Sequence, residues 1–232
     1  MEYPASKTRS LNIAFVVNAE LLSGLAAILG ETANQMEYTA KFSDGTSVRY
    51  SKIEEIIGQP NSGKRSIVSL IAGTAERTAK SAFVNLSNKP YTTSLEYTIN
   101  GTQRDVIYFA DKLDDWVAAI RQWYSPLFFG DGVISLVLGI SLPVCAAILA
   151  AWLHPYISPG KGIALIIVAL TATGIAELYI FRLFPRGTFA IGHGEKRHRF
   201  LSYVRNTVLV GLAVSVIGGV IANWIATRPA GR

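Results

Sequence analysis

Glu37-Tyr-Thr-Ala-Lys-Phe-Ser-Asp44-Gly45-Thr-Ser-Val-Arg-Tyr50 sets two alternating runs on either side of an Asp-Gly pair. Alternation with a period of two marks strands with one buried face, and Asp-Gly is a strong short hairpin turn, in which both turn positions favour positive φ. An antiparallel hairpin here makes the N-terminal part of the chain an α+β unit. Working outward, Leu11–Val17 is predicted as a strand feeding a helix over Ala19–Ala33. On the other side, Ser51 is expected to cap a short helix over Lys52–Ile57, with Glu54 and Glu55 in its first turn. Strands follow at Ile67–Gly73 and Ala82–Leu86. A second hairpin is expected around Asn100-Gly101, joining Thr93–Ile99 to Asp105–Phe109. A last amphipathic helix, Lys112–Tyr124, carries Leu113, Trp116, Val117 and Ile120 on one face.

The fold class expected from these signals is a mainly antiparallel sheet with three helices, spanning 1–125, followed by an all-α membrane domain over 126–232. Half of the 232 residues are hydrophobic, 16% are charged, and the mean hydropathy is +0.31. The two parts differ in charge. Residues 1–125 carry 13 Lys and Arg against 13 Asp and Glu, whereas 126–232 carry 9 against 3, hence the whole net charge of +6. A single cysteine, Cys145, excludes an intramolecular disulfide framework and a cysteine zinc cage. The composition also excludes disorder.

Three windows reach the roughly 20 apolar residues that a bilayer core requires of a helix. They are 133–153, 162–181 and 207–227, with a basic loop at 185–206. Lys112, Arg121, Arg182, Arg186, Lys196, Arg197, Arg199 and Arg205 would lie on one side, against Lys161, Arg228 and Arg232 on the other. By the positive-inside rule the N-terminal unit and the loop are expected in the cytosol and the C-terminus outside, with Trp152 and Trp224 at the outer interface. The lipid bilayer is then the first expected partner, and the bacterial inner membrane the expected location. Met1–Ser10 leads into no clean signal-peptide core.

Candidate functional residues fall into three groups. Glu177, with Thr173 one turn earlier, is the carboxylate inside a window, and intramembrane carboxylates are functional candidates. Gly211, Ser215 and Gly219 form a small-residue strip, and Gly139 begins another; such strips let helices approach closely and point to a homo-oligomer. His193, Lys196, Arg197, His198, Arg199 and Arg205 form a basic patch suited to an anionic ligand or to lipid. Its cations would repel a metal ion from the two histidines, so no metal is expected. Gly58-Gln-Pro-Asn-Ser-Gly63-Lys64-Arg65 approaches the phosphate-loop pattern, but Arg65 stands where a hydroxyl is required, and a helix precedes it rather than a strand. It reads as a Pro/Asn/Gly turn. No catalytic constellation is present, so the chain is expected not to be an enzyme and to need no cofactor.

Phe42-Ser-Asp-Gly-Thr, Tyr50-Ser-Lys-Ile-Glu-Glu-Ile-Ile, Pro60-Asn-Ser and Arg65-Ser-Ile resemble the front half of uncharacterised bacterial small membrane proteins with a cytosolic α+β domain. Leu183-Phe-Pro, Phe189-Ala-Ile-Gly and Arg205 resemble their membrane-proximal tail. The layout is similar to that of membrane effectors of bacterial anti-phage defence systems. The resemblance implies an oligomeric, channel-like effector gated by its cytosolic domain, through an anionic nucleotide or oligonucleotide. The alternative is a membrane anchor or scaffold that recruits a cytosolic protein partner through the same domain.

Overall fold

The computed structural model describes residues 4–32, 35–75, 80–89, 92–128 and 182–227, with single positions at 144, 167 and 171. In chain order the elements are β1 (Pro4–Leu11), β2 (Phe15–Asn18), α1 (Ala19–Gly30), β3 (Met36–Phe42), β4 (Ser47–Tyr50), α2 (Ile53–Ile57), β5 (Ile67–Thr74), β6 (Ser81–Ser87), β7 (Leu95–Thr102), α3 (Gln103–Ile120), a 3-10 turn at Ser125–Phe128, β8 (Gly187–Ala190) and α4 (His193–Thr227). Six strands form an antiparallel sheet in the order β1-β7-β6-β5-β3-β4. A separate parallel pair joins β2 to β8.

Alternation sorts the sheet into two faces. Tyr38, Ala72, Val84 and Tyr97 lie in one cross-strand row and are buried, while the neighbouring row of Thr39, Ile71, Asn85 and Glu96 is half-exposed. The buried face is covered by α3, whose stripe of Val106, Phe109, Leu113, Trp116, Val117 and Ile120 follows the helical period, with α1 packed on α3. Each such side chain contributes about 1.5–3 kcal/mol by leaving water. Polar groups fix the layer: the Trp116 indole donates to Leu21 O at 2.8 Å, and Asp114 accepts from Tyr97 Oη at 2.7 Å and Arg9 Nη1 at 2.6 Å.

Three local expectations change. The Asp44-Gly45 turn is present, but only Gly45 has positive φ (+86°), and Asp44 instead accepts the Thr46 amide at 2.9 Å in a longer loop. α2 is preceded by Lys52, which makes no side-chain cap bond, rather than by Ser51. Asn100-Gly101 does not turn a hairpin: it lies within β7, and Asp105–Phe109 is the start of α3. Thr102 accepts the Asp105 amide at 3.3 Å and donates to its carboxylate at 3.0 Å, a reciprocal cap that starts the helix there. β1, unexpected from sequence, is an edge strand with polar side chains that pairs along its whole length with β7.

The expectation of an all-α membrane domain with three transmembrane helices is corrected. Among the described residues no helix is long and apolar enough to cross a membrane. The windows 133–153 and 162–181 lie outside the described residues. The third, 207–227, is not a separate helix. It is the second part of α4, which begins at His193 and carries charged residues through Arg205. The inner-membrane location, and the membrane-protein, ion-channel and defence-effector descriptions that depended on those spans, are withdrawn with them.

Residues 187–190, expected in a basic loop, are a strand of the α+β unit. Phe15 donates its amide to Arg186 O at 2.9 Å, and Phe15 and Phe189 pack edge to face at 5.8 Å. The loop after α2 then clamps the returning chain. Asn61, 1% exposed, donates to Phe189 O at 2.7 Å and Ile191 O at 3.3 Å, and accepts the Ile67 amide at 2.8 Å. Pro60 O accepts the His193 amide at 2.9 Å. Gly192 sits at φ +51°, and a Cβ there would come within 2.7 Å of Gln59 O. A Cβ on Gly194 would collide with Asn61 and Phe189 O.

Asn61 has φ +42°, a left-handed conformation that asparagine tolerates better than other side chains. Asn61→Ala strands two carbonyls and an amide and adds backbone strain, so urea unfolding is expected to show a loss of about 2–4 kcal/mol. Asn61→Gly should lose the hydrogen bonds without the strain and fall between the variant and wild type. An unchanged midpoint in Asn61→Ala would show that the clamp holds nothing.

Candidate functional site

The residues singled out from sequence separate in space. Glu177, Thr173 and Gly139 lie outside the described residues. Gly211 and Ser215 are exposed on α4, where the Ser215 hydroxyl donates to Gly211 O at 2.8 Å, and Gly219 is in the same helix. Nothing within 4 Å of Gly211 would meet an added Cβ.

The six-residue basic patch divides by helical face. His193, Lys196, Arg197 and Arg199 are exposed, and Arg199 pairs with Glu195 one turn before it. His198, Ser202 and Arg205, spaced at i, i+4 and i+7, turn toward the α+β unit. The Arg205 guanidinium lies 4.7 Å from the Tyr124 ring, 5.9 Å from Phe184 and 6.0 Å from Trp123. Those rings meet one another edge-on at 5.4–6.2 Å. Cation–π attraction is strongest where the cation is desolvated, as here. Sequence reading placed Arg205 in the patch but missed the rings, which come from two segments about 60 positions apart.

His198 is half-buried, and burial first, then the Arg205 charge, holds its imidazole below the ordinary value of 6.5. As pH falls the unfolded chain therefore takes up this proton before the folded one. The stability His198 contributes is present above pH 6.5 and is lost as pH falls through its folded pKa. Unfolding midpoints measured between pH 7 and 5 should decline, and His198→Gln should flatten part of that slope. An identical slope in the variant would contradict the assignment.

A second arrangement lies at the other end of the sheet. β4 is an edge strand, with β3 on one side and no strand on the other among the described residues. An open groove of about 660 Å³ is lined by Gln35, Met36, Glu37, Arg49, Tyr50, Ser51, Glu55 and Ala75. A shallower depression of about 190 Å³ on the outer sheet face is bounded by Glu37, Thr39, Arg49, Ile71, Gly73, Thr74 and Phe83. The two meet at the ion pair between Arg49 Nε and Glu37, 3.3 Å apart. Phe83 is 40% exposed beside them, although it sits on the second central strand from this edge. Gly73 makes room for its ring, because a Cβ there would stand 3.2 Å from Phe83 Cδ2. Period-two alternation in Ser81–Ser87 already places Phe83 opposite the buried Ala82, Val84 and Leu86. That signal was legible in the sequence but went unused.

The loop that approaches a phosphate-binding pattern is structural. Besides the Asn61 clamp, Arg65 lies 4.6 Å from the Phe42 ring and 3.5 Å from Asp44. Among the described residues no group of three or more His, Cys, Asp or Glu could hold a metal ion. No protein-family model matches the chain, and neither a curated protein nor a solved structure is similar to it.

Proposed function

We propose that the chain is a recruiting module that holds a partner protein at the β3–β4 end of its sheet and does no covalent chemistry. The observation that carries this reading is the convergence of two depressions on the Glu37–Arg49 pair, next to an open strand edge and an exposed ring. An edge strand offers backbone donors and acceptors to an extended segment, and flanking pockets select its side chains. Phe83 and Ile71 supply the apolar floor, and Glu37, Glu55 and Arg49 supply charges of both signs. That balance suits a polypeptide better than a nucleic acid, which calls for a predominantly basic surface.

A photo-crosslinking residue placed at Ser51, which lines the groove, in the full chain, in cells, tests this. One discrete adduct should form. Phe83→Ala should reduce it by about tenfold, the size expected from truncating a central anchor. Ile107→Ser, on the exposed face of α3, should leave it unchanged. Absence of any adduct, or equal yields in all three proteins, would contradict the reading.

A further inference from the structure

We propose that His198, Ser202 and Arg205 form a binding site for a phosphate group at the junction between the α+β unit and α4. The site is separate from the β3–β4 surface and does not depend on it.

Arg205 is 5% exposed and makes no ion pair among the described residues. Its Nε has no hydrogen-bond partner, its Nη2 donates a long bond, 3.3 Å, to Ser202 Oγ, and the guanidinium also interacts with the Tyr124 hydroxyl. A buried guanidinium is ordinarily matched by a carboxylate, because desolvation without a counter-charge is costly. Aromatic faces offset part of that cost but leave the Nε–H unsatisfied. The described segments of the junction are poor in acid. Residues 121–128 and 182–206 contain Arg121, Arg182, Arg186, Lys196, Arg197, Arg199 and Arg205, against Glu195 as their one acidic residue. Glu195 already pairs with Arg199 on the outer side of the helix.

The three side chains offer complementary chemistry. Arg205 presents a planar fork that suits a tetrahedral oxyanion. The Ser202 hydroxyl stands between its partners, 3.3 Å from Arg205 Nη2 and 3.5 Å from His198 Nε2. The half-buried His198 lies one turn before Ser202 on the same helix face. An arriving phosphate supplies the missing negative charge and accepts from all three groups.

The test uses the full chain and inorganic phosphate as the probe, with chloride at matched ionic strength as the control. The Arg205 Nε–H resonance reports directly on the unpaired donor. Saturable movement with phosphate and none with chloride is expected. Arg205→Lys keeps the charge but loses the fork, and should weaken binding by about tenfold or more. Ser202→Ala removes one hydroxyl with little change in packing, and should weaken it by about threefold to tenfold. Arg104→Ala, exposed in the first turn of α3, should bind as wild type does. No saturable movement, equal movement with chloride, or undiminished affinity in Ser202→Ala would overturn the proposal.

Discussion

The buried side chain of Asn61 commits its amide nitrogen to two carbonyls of residues 189–191 and its oxygen to the first amide of β5. Through the first two of those bonds, and the His193 amide donated to Pro60 O, one turn in the N-terminal half holds a strand and a helix start from a segment more than 120 residues later. Everything else at the junction follows from that contact. β8 can pair with β2 only if residues 187–190 are delivered in register. Once they are, Gly192 and Gly194 let the chain pass against the Pro60–Asn61 backbone and begin α4. Arg205, three turns further on, then meets the aromatic side chains of residues 123, 124 and 184. Loss of the clamp exposes the bare Phe15 edge of β2 and leaves the Arg205 guanidinium without its rings.

The junction makes α4 an extension of the α+β unit rather than a neighbour of it. A helix tied by backbone pairing, by Asn61 and by a buried cation cannot swing independently without breaking several of these at once. Packed elements with two discrete arrangements are one route by which coupling between sites is carried. The proposed phosphate site sits inside this joint, and the proposed recruiting surface lies along the β4 edge of the sheet. A ligand at the joint would act first on the docking of α4.

Much of the sheet was legible because its signals are local. Alternation in 37–50, 67–73 and 82–86 gave β3, β4, β5 and β6 to within a residue or two. The amphipathic stripe of Leu113, Trp116, Val117 and Ile120 gave the buried face of α3. Asn100-Gly101 misled, because a turn-forming pair was weighed without the Thr102 cap that follows it, and the cap governs the chain there. β1 escaped notice because Lys7 and Arg9, paired with Asp114 of α3, stand between Ala5 and Leu11 on the face it turns inward, so no apolar alternation shows. The clamp was not legible at all: the Asn61 turn was visible as a turn, but its partners at 189 and 191 are set by tertiary packing. Length and hydropathy, which marked the apolar windows, cannot show that the third continues a charged helix held against β8. The site residues split for the same reason. Spacing put six basic residues in one patch, and only helical phase and the distant rings separate His198 and Arg205 from the exposed four.

The central claim is that β8 and the start of α4 belong to the same cooperative unit as the six-stranded sheet. Native-state hydrogen exchange tests it most directly, because amides opening together share one free energy. The amides of Thr188, Phe189 and His193 should exchange with the same opening free energy and the same denaturant dependence as those of Leu70 and Val84 in the sheet centre. Exchange of residues 188–193 through a separate, low-energy opening that leaves β5 and β6 protected would contradict it.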